Sequence, residues 1–267
     1  MNQHLQNILS FLDQNNNLSA EEKNSIIKSL KDADKEFTIT EFKLDRTEKV
    51  KKTTAVLLEE TIEELERKRK DVEVQNKELE IQNALERVRA VALGMKEPAD
   101  MLEICKTISQ QLQLLNVKEI RNVQTAIFYE GKGTYMNYEY YAKHDKTFTT
   151  ETTYTNNEIH NAFANQMLKG NGEFFITHIK GDEVKDWIAY QKTTNVFIDD
   201  YLNTATSLNY YWYSLGAVAL GISTYEALKD EDIDLFKRFL KVFELSYTRY
   251  LDIEQAEAQA RESQIQL

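Results

Sequence analysis

One proline, Pro98, interrupts a stretch from Asn76 to Leu112 that otherwise reads as helix at almost every residue. From Asp45 the chain contains neither proline nor glycine until Gly94. Without those two residues nothing in the backbone favours a break, and at 1.5 Å per residue the segment predicts a helix of roughly 70 Å. Asp45 and Glu48 have the spacing of a helix-opening cap. Pro98 suits the first turn of a second helix, where its missing N–H costs nothing, and it disfavours helix at Glu97. The chain is therefore expected to turn a corner at Pro98.

The surface of the first long helix is patterned. Leu58, Leu65, Val72 and Leu79 recur every seven residues, with Ile62 four after Leu58, among mixed charges such as "EELERKRKD". That is the pattern of a coiled-coil seam. The companion layer reads Ile62, Arg69, Asn76, Asn83 and is mostly polar, which weakens packing while favouring one register. From Leu85 the apolar set becomes Leu85, Val88, Ala92, Met95, a heptad whose phase has moved by two positions. A solitary, solvent-exposed helix is the plainer alternative.

Ahead of this segment, residues 1–36 read as two short helices split by "DQNNNL", the second opened by Ser19 and Glu22 at capping-box spacing. "FTITEFKL" reads as a short extended link. After Pro98, residues 99–115 place Leu102, Cys105, Ile108 or Ser109, Leu112 and Leu115 on one stripe of a core-packed helix. "NVQTAIFYE" and "TYMNYEYYA", joined by "GKG", predict a β-hairpin. "NNEIHNAFANQMLKGNG" predicts a helix, "EFFITHI" a strand, "GDEVKDWIAYQKTT" and "NVFIDDYLNTATS" helical or loop cover, and "NYYWYSLGAVALGIST" two strands meeting near Gly216. Strands apolar at successive positions imply a sheet covered on both faces. The "FTTETTYTNNE" segment reads as an exposed loop or a pocket lid. The last segment predicts a second long helix, with Ile233, Leu240, Tyr247 in one heptad layer and Phe236, Phe243, Tyr250 in the other. Its end, "RESQIQL", echoes "KELEIQN" at Lys77–Asn83, as if a further copy of the linker and a larger parent protein followed.

Composition narrows the function classes. A net charge of −11 and a pI near 5.0 disfavour nucleic acid and anionic membranes as partners, since both reward a basic face. A single cysteine, Cys105, rules out an internal disulfide and fits a reducing compartment. No stretch looks like a signal peptide or a membrane span, and a cytoplasmic location is expected.

The pair of segments "ELEIQNALERVRAVALGM" and "LFKRFLKVFELSYTRYLDIEQAEAQARE" resembles the signalling helices that flank GAF-type sensor domains in bacterial two-component proteins and related signalling kinases. The resemblance covers about residues 45–267. It implies an α+β fold with a central antiparallel sheet and flanking helices, parallel dimerisation through the terminal helices, and a ligand pocket on the sheet face away from that bundle. The expected organisation is a helical lead-in at 1–44, which lies outside the resemblance, then a coiled-coil signalling helix at 45–97, the GAF-like domain at 98–228, and a helix at 229–267 that continues into a truncated coiled coil. The dimer interface is expected at Leu58, Ile62, Leu65, Val72, Asn76, Leu79, Asn83, Leu240, Phe243 and Tyr247.

Chemistry-bearing motifs point away from catalysis. A histidine kinase needs a His followed by an acid, with a Pro shortly after on the same helix, and its ATP domain needs Gly-rich lid segments. "KHDK" at His144 lacks the Pro, and His160 lacks the acid. No phosphate-binding glycine loop or H-E-x-x-H motif occurs. His144, His160, His178 and Cys105 lack metal-ligand spacing, and Cys105 reads as a packed small hydrophobe, so neither metal nor cofactor is expected. Aromatic density stands out: Tyr135, Tyr138, Tyr140 and Tyr141, then Phe174 and Phe175, then Trp187, then Tyr210 to Tyr213. These rings either fill the core or line a pocket for a flat molecule. The pocket candidates are Tyr140, Phe175, His178, Tyr211 and Tyr213. The expected role is a sensory module that couples a small ligand, through dimeric coiled coils, to a kinase or other output domain. A ligand-free dimerisation scaffold is the alternative, and an enzyme of unfamiliar chemistry a third.

Overall fold

A computed structural model of the chain describes residues 2–265, which form two compact units divided between Gln75 and Asn76. Helix α1 (Gln3–Gln14) is capped by the Asn2 side chain, which accepts from the His4 backbone N–H. Leu5 and Leu12 are its buried residues, and the Asn2 backbone N–H donates to Asp34 on the following helix. Helix α2 runs unbroken over Ala20–Gly94. Ser19 and Glu22 open it with the expected reciprocal cap: the Ser19 N–H and hydroxyl both donate to the Glu22 carboxylate, and the Glu22 N–H donates to the Ser19 hydroxyl.

The extended link expected at "FTITEFKL" does not exist, and with it goes the boundary at residue 44. The β-branched residues Thr38 and Thr40 turn their hydroxyls back onto the carbonyls of Asp34 and Glu36, so the helix satisfies them internally. Asp45 opens nothing and instead pairs with Lys49 one turn on. A β-leaning composition without Pro or Gly did not suffice to end a helix.

The second unit carries the sheet. Glu97 is extended, Pro98–Asp100 form a 3-10 turn with Pro at its start, and α3 (Met101–Leu114) follows, as Pro98 predicts. Strands β1 (Ile120–Tyr129) and β2 (Thr134–Tyr141) make the expected hairpin, closed at Gly133 with φ 65°. Strand β3 (Lys146–Thr153) is where a loop or lid was expected. Its five threonines lie on an edge strand that pairs with β2 from Lys146 to Thr153. Then come α4 (Glu158–Leu168), β4 (Glu173–Lys180), α5 (Asp182–Gln191), a 3-10 turn at Asp200–Asn203, β5 (Ser207–Ser214), β6 (Val218–Thr224) and α6 (Asp230–Ile265). The expected echo in "RESQIQL" ends at Gln266 and Leu267, outside the described residues.

The six strands form one antiparallel sheet in the order β3-β2-β1-β6-β5-β4. The fold class is α+β. Both faces are covered. On one, Val123, Ile127, Tyr138, Leu220 and Ile222 join the inner faces of α3 and α6 and the end of α2 in one core. On the other, Phe128, Tyr135, Tyr210 and Trp212 pack with Met167 of α4 and Trp187 of α5.

The phase change near Leu85 has a packing cause. Ile81, Ala84, Leu85, Val88 and Ala92 are buried against this chain's own core, whereas Leu58, Ile62, Leu65, Val72 and Leu79 lie exposed. The stripe after Leu79 serves the domain. Glu78 and Arg238 of α6 form a two-pronged ion pair at 2.6 Å on both prongs. The expected dimer positions on α6 need correction: Phe243 is fully buried and Leu240 nearly so, both inside this chain's core, while Tyr247 is half-buried. Asn76 and Asn83 are exposed.

Candidate functional site

Strand parity decides which side chains meet. Directly paired residues in an antiparallel ladder share a face, so Asn122/Tyr141, Gln124/Glu139, Ala126/Asn137 and Phe128/Tyr135 point away from α3 and α6. Through β6 the same face continues to Tyr210 and Trp212 on β5. A cavity of about 240 Å³ lies there, between the sheet and helices α4 and α5.

Two local features shape its floor. Between Ile120 and Asn122 the β1–β6 register slips by one residue, so Arg121 is the extra residue of a bulge, and Arg121 and Asn122 both line the cavity. On β6, Gly221 lets the Trp212 ring lie flat across it; a Cβ there would stand 2.5 Å from Trp212 Cε3. The glycine is needed for the lack of a side chain rather than for backbone freedom.

Arg121 is buried beside the equally buried Asp199, its Nε donating to both carboxylate oxygens at 3.2 and 3.0 Å. The guanidinium also lies 5.2 Å from the centre of the Tyr141 ring. Glu139 has no such cation in contact. Its Oε1 accepts from Asn122 at 3.0 Å and from the Tyr141 hydroxyl at 2.9 Å. Burial pushes its carboxyl up to about 7, against the pull of these hydrogen bonds and of the Arg121 charge.

The amides around it are oriented in sequence. Asn122 gives its Nδ2 to Glu139 and to Gln124 Oε1, and its Oδ1 accepts from Ser223. Gln124 Oε1 also accepts from Asn137 Nδ2 at 3.3 Å, which turns Asn137 Oδ1 the other way.

Above this floor stands a ring cluster. His160 of α4 sits edge-on to Trp187 and Tyr190, and its two ring nitrogens meet the hydroxyls of Tyr135 and Tyr190. Burial lowers its pKa to about 4, which keeps it neutral. Trp187 Nε1 donates to the Tyr210 hydroxyl at 3.0 Å.

Four lining side chains carry a buried polar atom with no hydrogen-bond partner among the described residues: Arg121 Nη2, Asn137 Oδ1, Glu139 Oε2 and Gln191 Oε1. These residues are 3, 4, 1 and 8% exposed. An unpaired buried polar group costs about 1–3 kcal/mol, and these four line one cavity, where a single polar guest can meet several of them at once. Such a set is what a binding site for a polar molecule looks like.

The five candidates named from sequence do not line this cavity. Tyr140, Tyr211 and Tyr213 have the opposite parity and belong to the core beneath α3 and α6. Their hydroxyls are occupied within the chain: Tyr140 donates to Asp145, Tyr211 accepts from the Leu228 N–H, and Tyr213 donates to Glu244 at 2.6 Å. His178, on the edge strand β4, bonds Asn209 on that same side. Phe175 pairs with Trp212 in register and packs against the second core without lining the cavity. Of the wider aromatic set, Tyr135, Tyr141, Trp187, Tyr210 and Trp212 line it. Sequence reasoning missed Arg121, Asn137, Glu139 and Gln191. The available signal was polar residues two apart on each hairpin strand, Asn122 and Gln124 on β1 and Asn137 and Glu139 on β2, with Gln124 and Glu139 directly paired.

Among the described residues no three His, Cys, Asp or Glu side chains gather as a metal ion requires, and no helix is long and apolar enough to cross a membrane. Comparison with protein-family models, with curated proteins and with solved structures finds no match. The fold and the cavity define the class: an α+β domain with a polar, ring-walled pocket on one sheet face and α3, α6 and the end of α2 on the other.

Proposed function

We propose that this chain is a sensory or regulatory module, in which a small molecule held in the cavity biases the packing of the long helices toward an output domain such as a kinase. The observation that carries this reading is the placement of a polar cavity and the helices on opposite faces of one sheet. Strand β1 links them, with Gln124 toward the pocket and its neighbours Val123 and Thr125 toward α3 and α6. A shift of the sheet upon binding would press on the core beneath both helices, and a ligand that favours one helix packing over another would move that equilibrium.

A six-stranded antiparallel sheet with helical flanks is loosely compatible with the GAF-type resemblance of the sequence. A parallel homodimer belongs to the same reading. The exposed stripe Leu58, Ile62, Leu65, Val72, Leu79 offers a partner helix an apolar seam, with Asn76 and Asn83 beside it. The α6 contribution comes from positions left outside the core, such as Leu251, which is exposed, rather than from Phe243.

Native mass spectrometry of freshly purified protein tests both parts at once. The expected species is two chains with a retained small molecule. A bare monomer at tens of micromolar contradicts the reading, and a bare dimer favours a ligand-free scaffold in its place.

A further inference from the structure

Resting on the cavity as a ligand site, its donors and acceptors narrow what it can hold. Three of the four unpaired atoms are acceptors, Glu139 Oε2, Asn137 Oδ1 and Gln191 Oε1, and the fourth, Arg121 Nη2, is a donor. We propose that the cavity takes a small flat compound whose edge is rich in N–H donors, an amidine or amino-substituted ring, rather than a carboxylate or a phosphate ester.

Charge argues the same way. Arg121 is the cation of the lining, and it is already paired with Asp199 at 3.0 Å. Glu139, when ionised, leaves the site with an excess negative charge, so an anionic ligand would bring further negative charge beside two buried carboxyl groups. A protonated amidine supplies the missing counter-charge and gives Glu139 a paired donor for its open oxygen. Arg121 Nη2 is left to meet one acceptor on the ligand.

Shape and size agree. The walls are the faces and edges of Tyr135, Trp187, Tyr210 and Trp212, which favour a flat ring and attract a delocalised cation. At about 240 Å³ the space lies below the range usual for drug-sized ligands, which implies a compact one.

The chain's two tryptophans, Trp187 and Trp212, both line the cavity, so their emission reports its occupancy. Benzamidine, benzamide and benzoate share one ring and differ in charge and donor count. Titrated into the full chain, benzamidine should shift the emission at a concentration at least ~10-fold below benzamide, the margin of a charge-assisted pair, and benzoate should leave it unchanged at millimolar levels. Glu139→Gln should erase the preference for benzamidine over benzamide. Gln191→Met, which keeps the length of a side chain on α5, should weaken benzamidine several-fold and serves if the first variant fails to fold. Benzoate binding as tightly as benzamidine, a benzamidine preference that survives in folded Glu139→Gln, or unchanged benzamidine binding in folded Gln191→Met, overturns the proposal. So does the absence of any response to all three. A chain that retains a molecule in native mass spectrometry yet reverses this ranking contradicts the ligand class alone and leaves the cavity's role standing.

Discussion

Glu139 and His160 pull the stability of the domain in opposite directions as pH changes. Burial raises the Glu139 carboxyl from its ordinary 4.5 to about 7, so between those values the folded chain holds a proton that the unfolded chain has lost. Stability from this group is complete below pH 4.5, falls as pH rises to 7, and is then level, a loss of roughly 3 kcal/mol. His160 is lowered from 6.5 to about 4, so over nearly the same window the unfolded chain binds the extra proton and stability rises with pH by a similar amount. In the unmodified chain the two nearly cancel. Urea melts should show Glu139→Gln gaining stability from pH 4.5 to 6.5, and His160→Gln losing it over that range. Parallel profiles for both variants would refute the assignment. Cys105 offers a simpler residue-scale test. Burial pushes its thiol up to about 12, and its sulfur sits against Thr125 and the Tyr138 carbonyl. A thiol reagent should therefore modify it only as fast as the domain opens, and rapid modification of the native chain would contradict the packing. The sequence reading of Cys105 as a small packed hydrophobe rested on helix periodicity and agrees with this burial.

Elements were legible where helical periodicity, or a β-branched and aromatic run, is bounded by a proline or glycine turn. The Pro98 corner, α3, the β1–β2 hairpin and the β5–β6 pair all follow from period and turn chemistry. Strand β3 did not, because an edge strand rich in threonine has the composition of a loop and takes its structure from the ladder to β2. The cavity was legible only as a stretch of rings. In "TYMNYEYYA" and "NYYWYS" adjacent aromatics point to opposite faces, and composition cannot say which face is the pocket. The bulge at Arg121, which turns two successive residues to one side, leaves no clear sequence mark. The buried positions of α6 and the exposed stripe of α2 make an element-scale prediction. Phe243→Ala empties a fully buried position and should cost about 3–5 kcal/mol of domain stability. Leu65→Lys, at a residue 61% exposed, should leave domain stability nearly unchanged while weakening any dimer. Chemical denaturation with light scattering separates the two, and an equal loss of stability in both variants would mean that Leu65 is buried in solution.

Across the whole second unit, the sheet is the wall shared by the pocket and the helical core. Its polar face is incompletely satisfied, and its apolar face carries α3, α6 and the end of α2. The proposed coupling needs both faces to respond to one event. Hydrogen exchange tests it most directly, by comparing the protein as purified with the same protein unfolded, freed of small molecules and refolded. The account predicts a change in amide protection on β1, β2 and α5 around the cavity, accompanied by a change along α3 and the Ile233–Tyr250 part of α6. Identical exchange in the two preparations, or a change confined to the cavity side, would contradict it.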